Sequence, residues 1–298
     1  MTYSGKAVGI VFNQRVKEAE RLASALVELL GARSQTWSCP AVDVDAHAGE
    51  ARSTGLIVTV GGDGTILRAV RLAAPHGIPL LGINLGRLGF MTELKAEEAL
   101  ARVPEFLDGA GRVEERTMLQ AEVLTERMRQ EPARVDRPGR LLFHALNDVV
   151  VGRGAVSRLV RIRAKVDGVD LAAYRADAVI VSTATGSTGY NLAAGGPILQ
   201  PQSPNILLNP VAPHLGIGTA LVFLPDTIIE LVAESEGQCT VSIDGYVDMA
   251  LSPQDSVRVT RSPYTARFLR LNPQSHYYAT LIQRLGLVWG LEGYRTSY

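Results

Sequence analysis

Apolar residues in the first third of the chain form short continuous runs that alternate with longer segments of helical spacing. The runs predict buried strands, and apolar residues three and four positions apart predict helices. The predicted strands are 6–12, 56–60 and 78–83, and the predicted helices are 15–30, 66–74 and 96–107. Gly31 follows the first helix, where we expect it as the C-cap. This order predicts an α/β domain with a parallel, Rossmann-like sheet.

The pattern changes near residue 118 to short strands separated by turns. Apolar and basic residues alternate strictly over 160–166, which predicts a half-buried strand. Asp167-Gly168 and Asp244-Gly245 have the composition of tight hairpin turns. The strands predicted in this part are 119–124, 160–166, 169–174, 220–224, 228–233, 239–243, 246–251 and 256–260. Many short strands with frequent turns predict a C-terminal β-sandwich domain.

Two segments stand apart from this pattern. The segment 126–140 is charged and contains two prolines, so we expect an exposed hairpin tip or a mobile loop. The segment 277–289 is helical in spacing and apolar, so we expect it to dock on the protein. At roughly 150 residues per domain, 298 residues correspond to two domains. We place the α/β domain at 1–118 with the tail 275–298, and the sandwich at 119–274.

Composition narrows the class of protein. The chain has 30 basic and 30 acidic side chains, and this zero net charge argues against a general nucleic-acid binder. Two cysteines, Cys39 and Cys239, cannot form a disulfide framework. The sequence shows neither a signal peptide nor an apolar run of membrane-spanning length. We therefore expect a cytoplasmic protein that does not enter a membrane.

The first chemical motif is Gly61-Gly62-Asp63-Gly64-Thr65, between a predicted strand and a predicted helix. Glycines let the backbone approach a phosphate, and a helix N-terminus favours anions. We expect Thr65 to cap the helix. A carboxylate beside a phosphate site repels its ligand unless it binds a metal ion or accepts a proton. The alternative is a tight turn in which Asp63 only caps the helix. The motif lacks the lysine of a Walker A loop and the spacing of a dinucleotide fingerprint.

Three further clusters follow later strands. Residues 82–90 form a second glycine-rich turn, which by itself is equally consistent with a packing turn. Asn147-Asp148 precedes a strand and offers an amide and a carboxylate for a base edge or a ribose. Residues 182–191 carry five hydroxyl groups within seven positions, followed by Gly195-Gly196, and can hold phosphate or ribose oxygens. The five histidines show no metal-ligand spacing.

Together, in this order and spacing, the clusters resemble the NAD kinase family over roughly residues 55–270. The GGDGT segment is similar to that family's diphosphate motif, Asn147-Asp148 to its Asn-Glu motif, and 175–197 to its glycine-rich motif. The resemblance implies transfer of the γ-phosphoryl group of ATP to the 2′-hydroxyl of the adenosine ribose of NAD, which makes NADP. It also implies a divalent metal, Mg²⁺, a homodimer or homotetramer, and a C-terminal tail packed on the first domain.

The resemblance also implies roles for individual residues. Asp63 would act as general base, hold the metal, or do both. The residues implied to contact phosphates or the dinucleotide are Gly62, Gly64, Thr65, Phe90, Asn147, Asp148, Arg175, Asp177, Thr185, Thr188, Gly189 and Tyr190. Phe90 would lie beside the adenine of NAD, and some of the contacts near Tyr190 would cross a subunit interface.

The chain departs from the family pattern at three positions. Asp148 stands in place of the commoner glutamate, Gly189 in place of alanine, and Ala193 in place of a serine. These departures leave open a preference for NAD or NADH. The sequence also leaves open whether polyphosphate replaces ATP. Two rival functions are a lipid or sugar kinase that carries a GGDGT loop and a non-catalytic dinucleotide sensor.

Overall fold

The computed structural model describes residue 3 and residues 5–86, 89–125, 141–154, 159–234 and 239–285. The chain divides into two compact units, one formed by Met1–Glu114 with Ala266–Tyr298 and the other by Glu115–Thr265. The chain leaves the first unit within strand β6 (Arg112–Leu124) and returns to it within strand β17 (Ser256–Arg270). In the described residues, no helix is long and apolar enough to cross a membrane.

The first unit is an α/β domain built on a parallel sheet. Its elements are β1 (Ala7–Phe12), α1 (Lys17–Gly31), β2 (Thr36–Pro40), β3 (Thr54–Val60), α2 (Asp63–Ala73), β4 (Leu80–Asn84), β5 (Leu94–Lys95) and α3 (Ala96–Leu107). The strand order is β17–β4–β3–β1–β2. Every residue of β3 and β4 is buried, as expected of central parallel strands covered on both faces. The predicted parallel sheet is confirmed.

Apolar side chains of α1 and α3 pack on this sheet. Leu26 and Leu30 of α1 and Phe106 of α3 are fully buried in the core that includes Val58 and Ile83 of the strands. Helix α5 (His276–Arg284) belongs to this unit and carries part of the predicted helical tail. The remainder of that prediction, from 286, lies outside the described residues, as does the predicted loop 126–140.

The second unit contains two antiparallel sheets. Its further strands are β7 (Leu141–Ala145), β8 (Asp148–Arg153), β9 (Val160–Val166), β10 (Val169–Ala176), β11 (Ala178–Ser182), β12 (Ile206–Val211), β13 (Leu221–Phe223), β14 (Ile229–Ala233), β15 (Cys239–Ile243) and β16 (Val247–Leu251). A single helical turn, α4 (Tyr190–Ala193), follows β11. One sheet has the order β13–β12–β11–β8–β15–β16, and the other contains β10–β9–β14–β17 with β6 and β7.

The inner faces of these sheets form one core. Val151 and Val241 of the first sheet pack in the same buried cluster as Ile162 and Leu231 of the second, which confirms the predicted sandwich. Asp167 and Asp244 adopt φ values of 50° and 49°, each followed by a glycine with positive φ, so both predicted hairpin turns are confirmed.

Some local predictions were wrong. Gly31 is the last residue of α1, and Ala32 takes the C-cap position in a right-handed conformation. Strand β2 was missed because its sequence, Thr36–Pro40, contains a tryptophan, a serine and a cysteine rather than a continuous aliphatic run. Strand β17 continues ten residues beyond the predicted end at 260, through Pro263 to Arg270.

Candidate functional site

In the first unit, the GGDGT segment turns directly from β3 into α2. Asp63 is the first residue of the helix, and Gly62 precedes it as the N-cap. The prediction that Thr65 caps the helix was wrong: it is the third helical residue, and no side chain caps this end. Gly61 has φ of 155°, and a Cβ there would meet the hydroxyl of Thr65 and lie 3.1 Å from Cβ of Asn13. Packing of the turn therefore requires this glycine.

Gly62 and Gly64 are different, because a Cβ at either position would have no atom within 4 Å. Both line a cavity of about 230 Å³ whose walls also include Arg15 and Arg68. An uncapped helix N-terminus presents N–H groups without partners, and guanidinium groups nearby add positive charge. The surroundings of the two glycines are therefore suited to an anionic group that approaches the backbone closely.

The Asp63 carboxylate is held by the backbone of the loop that follows β4. Its Oδ2 accepts a hydrogen bond from the N–H of Phe90, and its Oδ1 accepts one from the N–H of Met91, each at 3.2 Å. A Cβ on Gly89 would lie against Oδ1 of Asp63 and 2.9 Å from Oγ1 of Thr92. The described residues of the loop therefore bind the carboxylate through backbone N–H groups, one of which belongs to Phe90.

Arg284 of helix α5 completes the surroundings of Asp63. Its Nη1 is 3.9 Å from Oδ2 of Asp63, and its Cζ lies 4.5 Å from the centroid of the Phe90 ring. The Asp63 side chain is 28% exposed, so the carboxylate remains reachable from solvent. Sequence reasoning did not select Arg284, since it lies 221 positions from Asp63 in a segment chosen only for its helical spacing.

A buried ion network supports the loop that holds Asp63. The Arg270 guanidinium donates to the carbonyl oxygens of Met91 and Thr92, at 2.9 and 3.2 Å, and pairs with the carboxylates of Glu93 and Glu114. The Arg270 and Glu93 side chains are 7% and 5% exposed. Buried charges persist only when they are paired and hydrogen-bonded, so the network fixes residues 91–93 in one conformation. Sequence reasoning missed these residues as well.

A divalent metal fits this site only if the phosphates of a nucleotide supply further ligands. Among the described residues, no group of three or more His, Cys, Asp or Glu side chains is placed to bind a metal. Mg²⁺ is commonly bound by one or two carboxylates together with substrate phosphates and water. Asp63 has lone pairs beyond the two that accept N–H groups, so it fits as the single protein ligand of such an ion.

In the second unit, a cavity of about 300 Å³ brings together several predicted residues. Its lining includes Asn147, Asp148 and Tyr190, together with Ser242 and Asp244. This volume is at the small end of the range for small-molecule sites, and the mixture of an aromatic ring, an amide and carboxyl groups is typical of them. Tyr190 is 45% exposed at the start of α4, so its ring is available for stacking.

Asp148 and Asp244 form a pair of neighbouring carboxyl groups in this cavity. Asp148 is 7% exposed, and this burial, followed by the charge of Asp244, raises its pKa to about 7. Desolvation also raises the pKa of Asp244, but hydrogen bonds from the N–H groups of Leu146, Asp148 and Asn147 oppose the increase. Because Asp244 accepts these bonds, the first proton taken up by the pair belongs on Asp148.

The glycine-rich segment uses most of its hydroxyl groups to stabilise itself. Ser187 Oγ donates to the carbonyl oxygen of Ala184 at 2.6 Å, and Thr188 Oγ1 donates to that of Thr185 at 3.1 Å. The contact of Thr188 with a dinucleotide stays a prediction, because a hydroxyl that donates within the protein keeps lone pairs that can accept. Thr185 differs, because its buried Oγ1 has no hydrogen-bond partner in the described part of the chain.

Asn191 is the last residue of the segment 182–191 and was not selected as a site residue. It is fully buried. Its Nδ2 donates to the carbonyl oxygens of Ser187 and Pro197, and its own backbone and side-chain oxygens accept from Nδ2 of Asn209. These bonds hold the segment before Tyr190 to the segment after it. Gly189 lies beside Tyr190 and is exposed, with φ of −98°.

Arg175 and Asp177 are not among the residues that line the cavity. Arg175 is exposed on β10, and its backbone pairs with Leu215 and His214. Asp177 follows β10, and its carboxylate pairs with Arg153 at 3.1 Å. The second unit therefore brings together Asn147, Asp148 and Tyr190 but leaves these two predicted residues elsewhere.

Comparison with known proteins finds the same family over both units. The family description "ATP-NAD kinase N-terminal domain" matches residues 35–110, and "ATP-NAD kinase C-terminal domain" matches 146–271. An NAD kinase of Dehalococcoides mccartyi is 40% identical over 94% of this chain and 96% of its own length. An NAD kinase of Symbiobacterium thermophilum is 42% identical over 77% of this chain and 78% of its own length.

Solved structures share the fold at lower identity. A yeast NADH kinase complexed with NADH superposes with a TM-score of 0.77 at 23% identity, covering 99% of this chain and 89% of its own. An NAD kinase from Archaeoglobus fulgidus in complex with ATP superposes with a TM-score of 0.67 at 24% identity, covering 92% of this chain and 98% of its own. On the sequence matches and the shared fold, the chain belongs to the NAD kinase family.

Proposed function

We propose that this protein transfers the γ-phosphoryl group of ATP to the 2′-hydroxyl of the adenosine ribose of NAD and so produces NADP and ADP. The observation that carries the proposal is the position of Asp63. Its carboxylate stands at the first residue of an uncapped helix, between two glycines whose surroundings are open. A carboxylate at an anion-binding helix end suits a reaction in which a hydroxyl loses its proton beside phosphate groups.

The chemistry assigned to Asp63 is proton acceptance. The 2′-oxygen forms a bond to the γ-phosphorus while the bond from that phosphorus to the β-phosphate oxygen breaks, and ADP leaves. The hydroxyl proton passes to the carboxylate of Asp63. The N–H groups of Phe90 and Met91 hold both carboxylate oxygens in place, which keeps the base oriented as the proton moves.

Binding of the phosphates is assigned to the open helix end of the first unit. Gly62 and Gly64 allow close approach, while Thr65 closes the turn behind them and the guanidinium groups of Arg15 and Arg68 provide positive charge. Phosphoryl transfer depends mainly on positioning and on neutralising charge. Mg²⁺, when bound to Asp63 and the phosphates, would supply further neutralisation of the negative charge.

Binding of the dinucleotide is assigned to the cavity of the second unit. Asn147 and Asp148 offer hydrogen-bonding groups for a ribose or a base edge, and Tyr190 offers a ring for stacking. Thr185 adds a buried hydroxyl without a protein partner in the described residues. Thr188, Gly189, Phe90, Arg175 and Asp177 stay in the proposed contact set as implied by the family pattern.

The proposal also covers the oligomeric state, the compartment and the divalent ion. We propose a homodimer or homotetramer, testable by light scattering after size-exclusion chromatography. We also propose that the protein acts in the cytoplasm and uses Mg²⁺ as its divalent ion. Both cysteines are free and buried, which suits a reducing compartment.

The test is NADP formation from NAD, ATP and Mg²⁺ by wild type and Asp63→Asn in parallel. General-base assistance contributes about 10²–10⁴-fold, so we expect the variant to lose that much kcat while its affinity for NAD is kept. Asp108→Asn, at an exposed ion pair of the same unit, is the matched control and should retain full activity. Wild type that binds NAD but forms no NADP with any phosphoryl donor would instead be a dinucleotide sensor.

The same assay separates the rival kinases. Diacylglycerol and fructose 6-phosphate replace NAD as acceptors, and ADP release is followed. Turnover with either acceptor but not with NAD would assign the GGDGT loop to a lipid or sugar kinase. Replacing ATP by polyphosphate, and NAD by NADH, determines the donor and the acceptor preference.

A further inference from the structure

Asp244 lies in the turn between β15 and β16 and was not among the site residues selected from the sequence. Its carboxylate accepts hydrogen bonds from three successive backbone N–H groups. Oδ2 accepts from Leu146 at 2.7 Å, and Oδ1 accepts from Asn147 at 2.7 Å and from Asp148 at 3.0 Å. Its own N–H donates to the carbonyl oxygen of Asp148 at 3.0 Å. The turn and the segment 146–148 are therefore joined by four hydrogen bonds.

The carbonyl side of the same segment is held by the glycine-rich segment. Thr183 Oγ1 donates to the carbonyl oxygen of Leu146 at 2.6 Å, and the N–H of Thr183 and Oγ of Ser182 donate to that of Asn147. A Cβ on Gly186 would collide with the carbonyl group of Asn147. Every backbone polar group of 146–148 therefore has a partner inside the second unit, and the segment has no freedom to rotate.

The side chains of Asn147 and Asp148, unlike the backbone of this segment, are left without a partner in the described part of the chain. Within the described residues, neither the Asn147 amide nor the Asp148 carboxyl forms a side-chain hydrogen bond or ion pair with the protein. Asp148 is nevertheless 7% exposed, and both side chains line the cavity of about 300 Å³. Asn147 is partly exposed, and the polar atoms of both side chains reach the cavity, where water or a ligand can satisfy them. The pair is therefore built to bind something that enters the cavity.

We propose that Asp244 is a positioning residue for the dinucleotide: its carboxylate orients Asn147 and Asp148 by gathering their N–H groups, and it does not need to touch the dinucleotide itself. This inference rests on the proposed function, because it takes NAD as the occupant of the cavity. A carboxylate is the side chain that can do this, since it accepts on both oxygens and donates on neither.

The charge of Asp244 has a second effect on the pair. It lies beside the Asp148 carboxyl and disfavours a second negative charge there. Asp148 then keeps its proton at higher pH and offers the dinucleotide an O–H donor as well as an acceptor oxygen. A variant that removes the charge of Asp244 should therefore change both the geometry and the protonation of Asp148.

The test compares Asp244→Asn with Asp255→Asn. Asparagine has the shape of aspartate but presents an NH₂ group in place of one oxygen, so at least one N–H of 146–148 would face a donor. Asp255 is the matched control: it is 6% exposed, lies in the same unit and accepts the N–H of Ser252 at 2.8 Å, but it does not line the cavity. NAD affinity is measured by calorimetry, KM and kcat by NADP formation, and stability by thermal unfolding.

We expect Asp244→Asn to weaken NAD binding and raise KM for NAD by about 10–100-fold, with kcat and KM for ATP within threefold of wild type. Asp255→Asn should lower the melting temperature comparably but leave NAD affinity within threefold. The Asp148→Asn substitution should weaken NAD binding less in the Asp244→Asn background than in the wild-type background. The reason is that the two residues act as one unit. A purely structural role for Asp244 would give additive effects.

Two results would overturn the inference. One is NAD affinity of Asp244→Asn within threefold of wild type while its melting temperature falls as in Asp255→Asn. The other is a wild type that does not bind NAD at all, which would remove the occupant. A wild type that binds NAD without turnover contradicts only the kinase proposal, and the ratio of NAD affinities between wild type and Asp244→Asn then still supports or refutes the positioning role.

Discussion

The guanidinium of Arg284 covers the ring of Phe90 while its Nη1 lies 3.9 Å from the carboxylate of Asp63. Phe90 in turn donates its N–H to the same carboxylate. The guanidinium is therefore held by the Phe90 ring and by the carboxylate of Asp63, the proposed catalytic residue. Arginine matches phosphate geometry and stays charged at all relevant pH values, so Arg284 is placed to neutralise charge on a phosphoryl group beside Asp63.

The first prediction concerns this arginine. Arg284→Ala should lower kcat for NADP formation by about 10–100-fold, because a phosphate-neutralising guanidinium is lost from the reaction. The kcat of Arg284→Lys should lie between those of wild type and Arg284→Ala, since lysine keeps the charge but not the planar contact with Phe90. Arg33→Ala, at an exposed ion pair of the same unit, is the control and should be fully active. A kcat of Arg284→Ala within twofold of wild type would refute the role.

The second prediction uses two glycines of one loop. Gly89→Ala should abolish most activity, because its Cβ would press against the Asp63 carboxylate and displace it. Gly86→Ala should be tolerated, since a Cβ at that position meets no atom within 4 Å. Steady-state rates and thermal unfolding of both variants distinguish the cases. Equal activity of the two variants would show that the close approach of Gly89 to Asp63 is unimportant for turnover.

The third prediction separates stability from function at Gly64. Alanine at this second residue of α2 should stabilise the protein by about 0.5–1 kcal/mol, because alanine restricts the unfolded chain and favours the helix. The same variant should raise KM for ATP by about tenfold or more, if a phosphate approaches the backbone where the Cβ would project. Urea denaturation and initial rates measure the two effects. A Gly64→Ala variant that is more stable and equally active would place the phosphates elsewhere.

The fourth prediction is a pH dependence of stability at Asp148. Its pKa is raised from 3.8 to about 7, chiefly by burial. Between these values the unfolded chain releases the proton while the folded protein keeps it, so this group makes the protein less stable as pH rises from about 4 to 7. Asp148→Asn removes the effect. Relative to wild type, the variant should gain stability over this interval, by up to about 4 kcal/mol at pH 8.

Chemical denaturation at several pH values tests this expectation. Asp248→Asn, an exposed carboxylate on β16, is the control and should follow the pH dependence of wild type. Asp148→Asn should at the same time bind NAD more weakly, because it loses a group of the proposed site. A constant stability difference between Asp148→Asn and wild type from pH 4 to 8 would contradict the raised pKa.

Local sequence signals were sufficient for most of the fold. The alternation over Val160–Val166 predicted β9 with its observed bounds, and the helix over Ala96–Leu107 was predicted without error. Helix α2 begins three residues earlier than its apolar spacing indicated, because Gly62 serves as the N-cap and Asp63 is already helical. Strand β17 runs through Pro263 to Arg270, ten residues beyond the predicted end at 260.

Contacts between distant residues explain what could not be predicted at the site. Asp244 is 96 positions from Asp148, and only the pairing of β15 with β8, which sets Ile243 opposite Val149, brings the turn to the Asn147-Asp148 segment. Arg270 is 179 positions from Met91. No periodicity in the sequence marks such pairs. Sequence reasoning selected Asn147, Asp148 and Tyr190 of the cavity lining and missed Asp244 and Arg270, which hold the neighbouring segments.

The return of the chain through β17 determines when the first unit can be completed during synthesis. Residues 1–114 leave the ribosome first, but their parallel sheet still lacks the strand that pairs Phe268 with Leu80, and the loop at Met91 still lacks the guanidinium of Arg270. Residues 115–265 must be translated in between. At about 5–20 residues per second this delay is on the order of ten seconds. The proposed catalytic aspartate and its loop are thus made early, and the arginine that holds the loop is added only after the second unit has been translated.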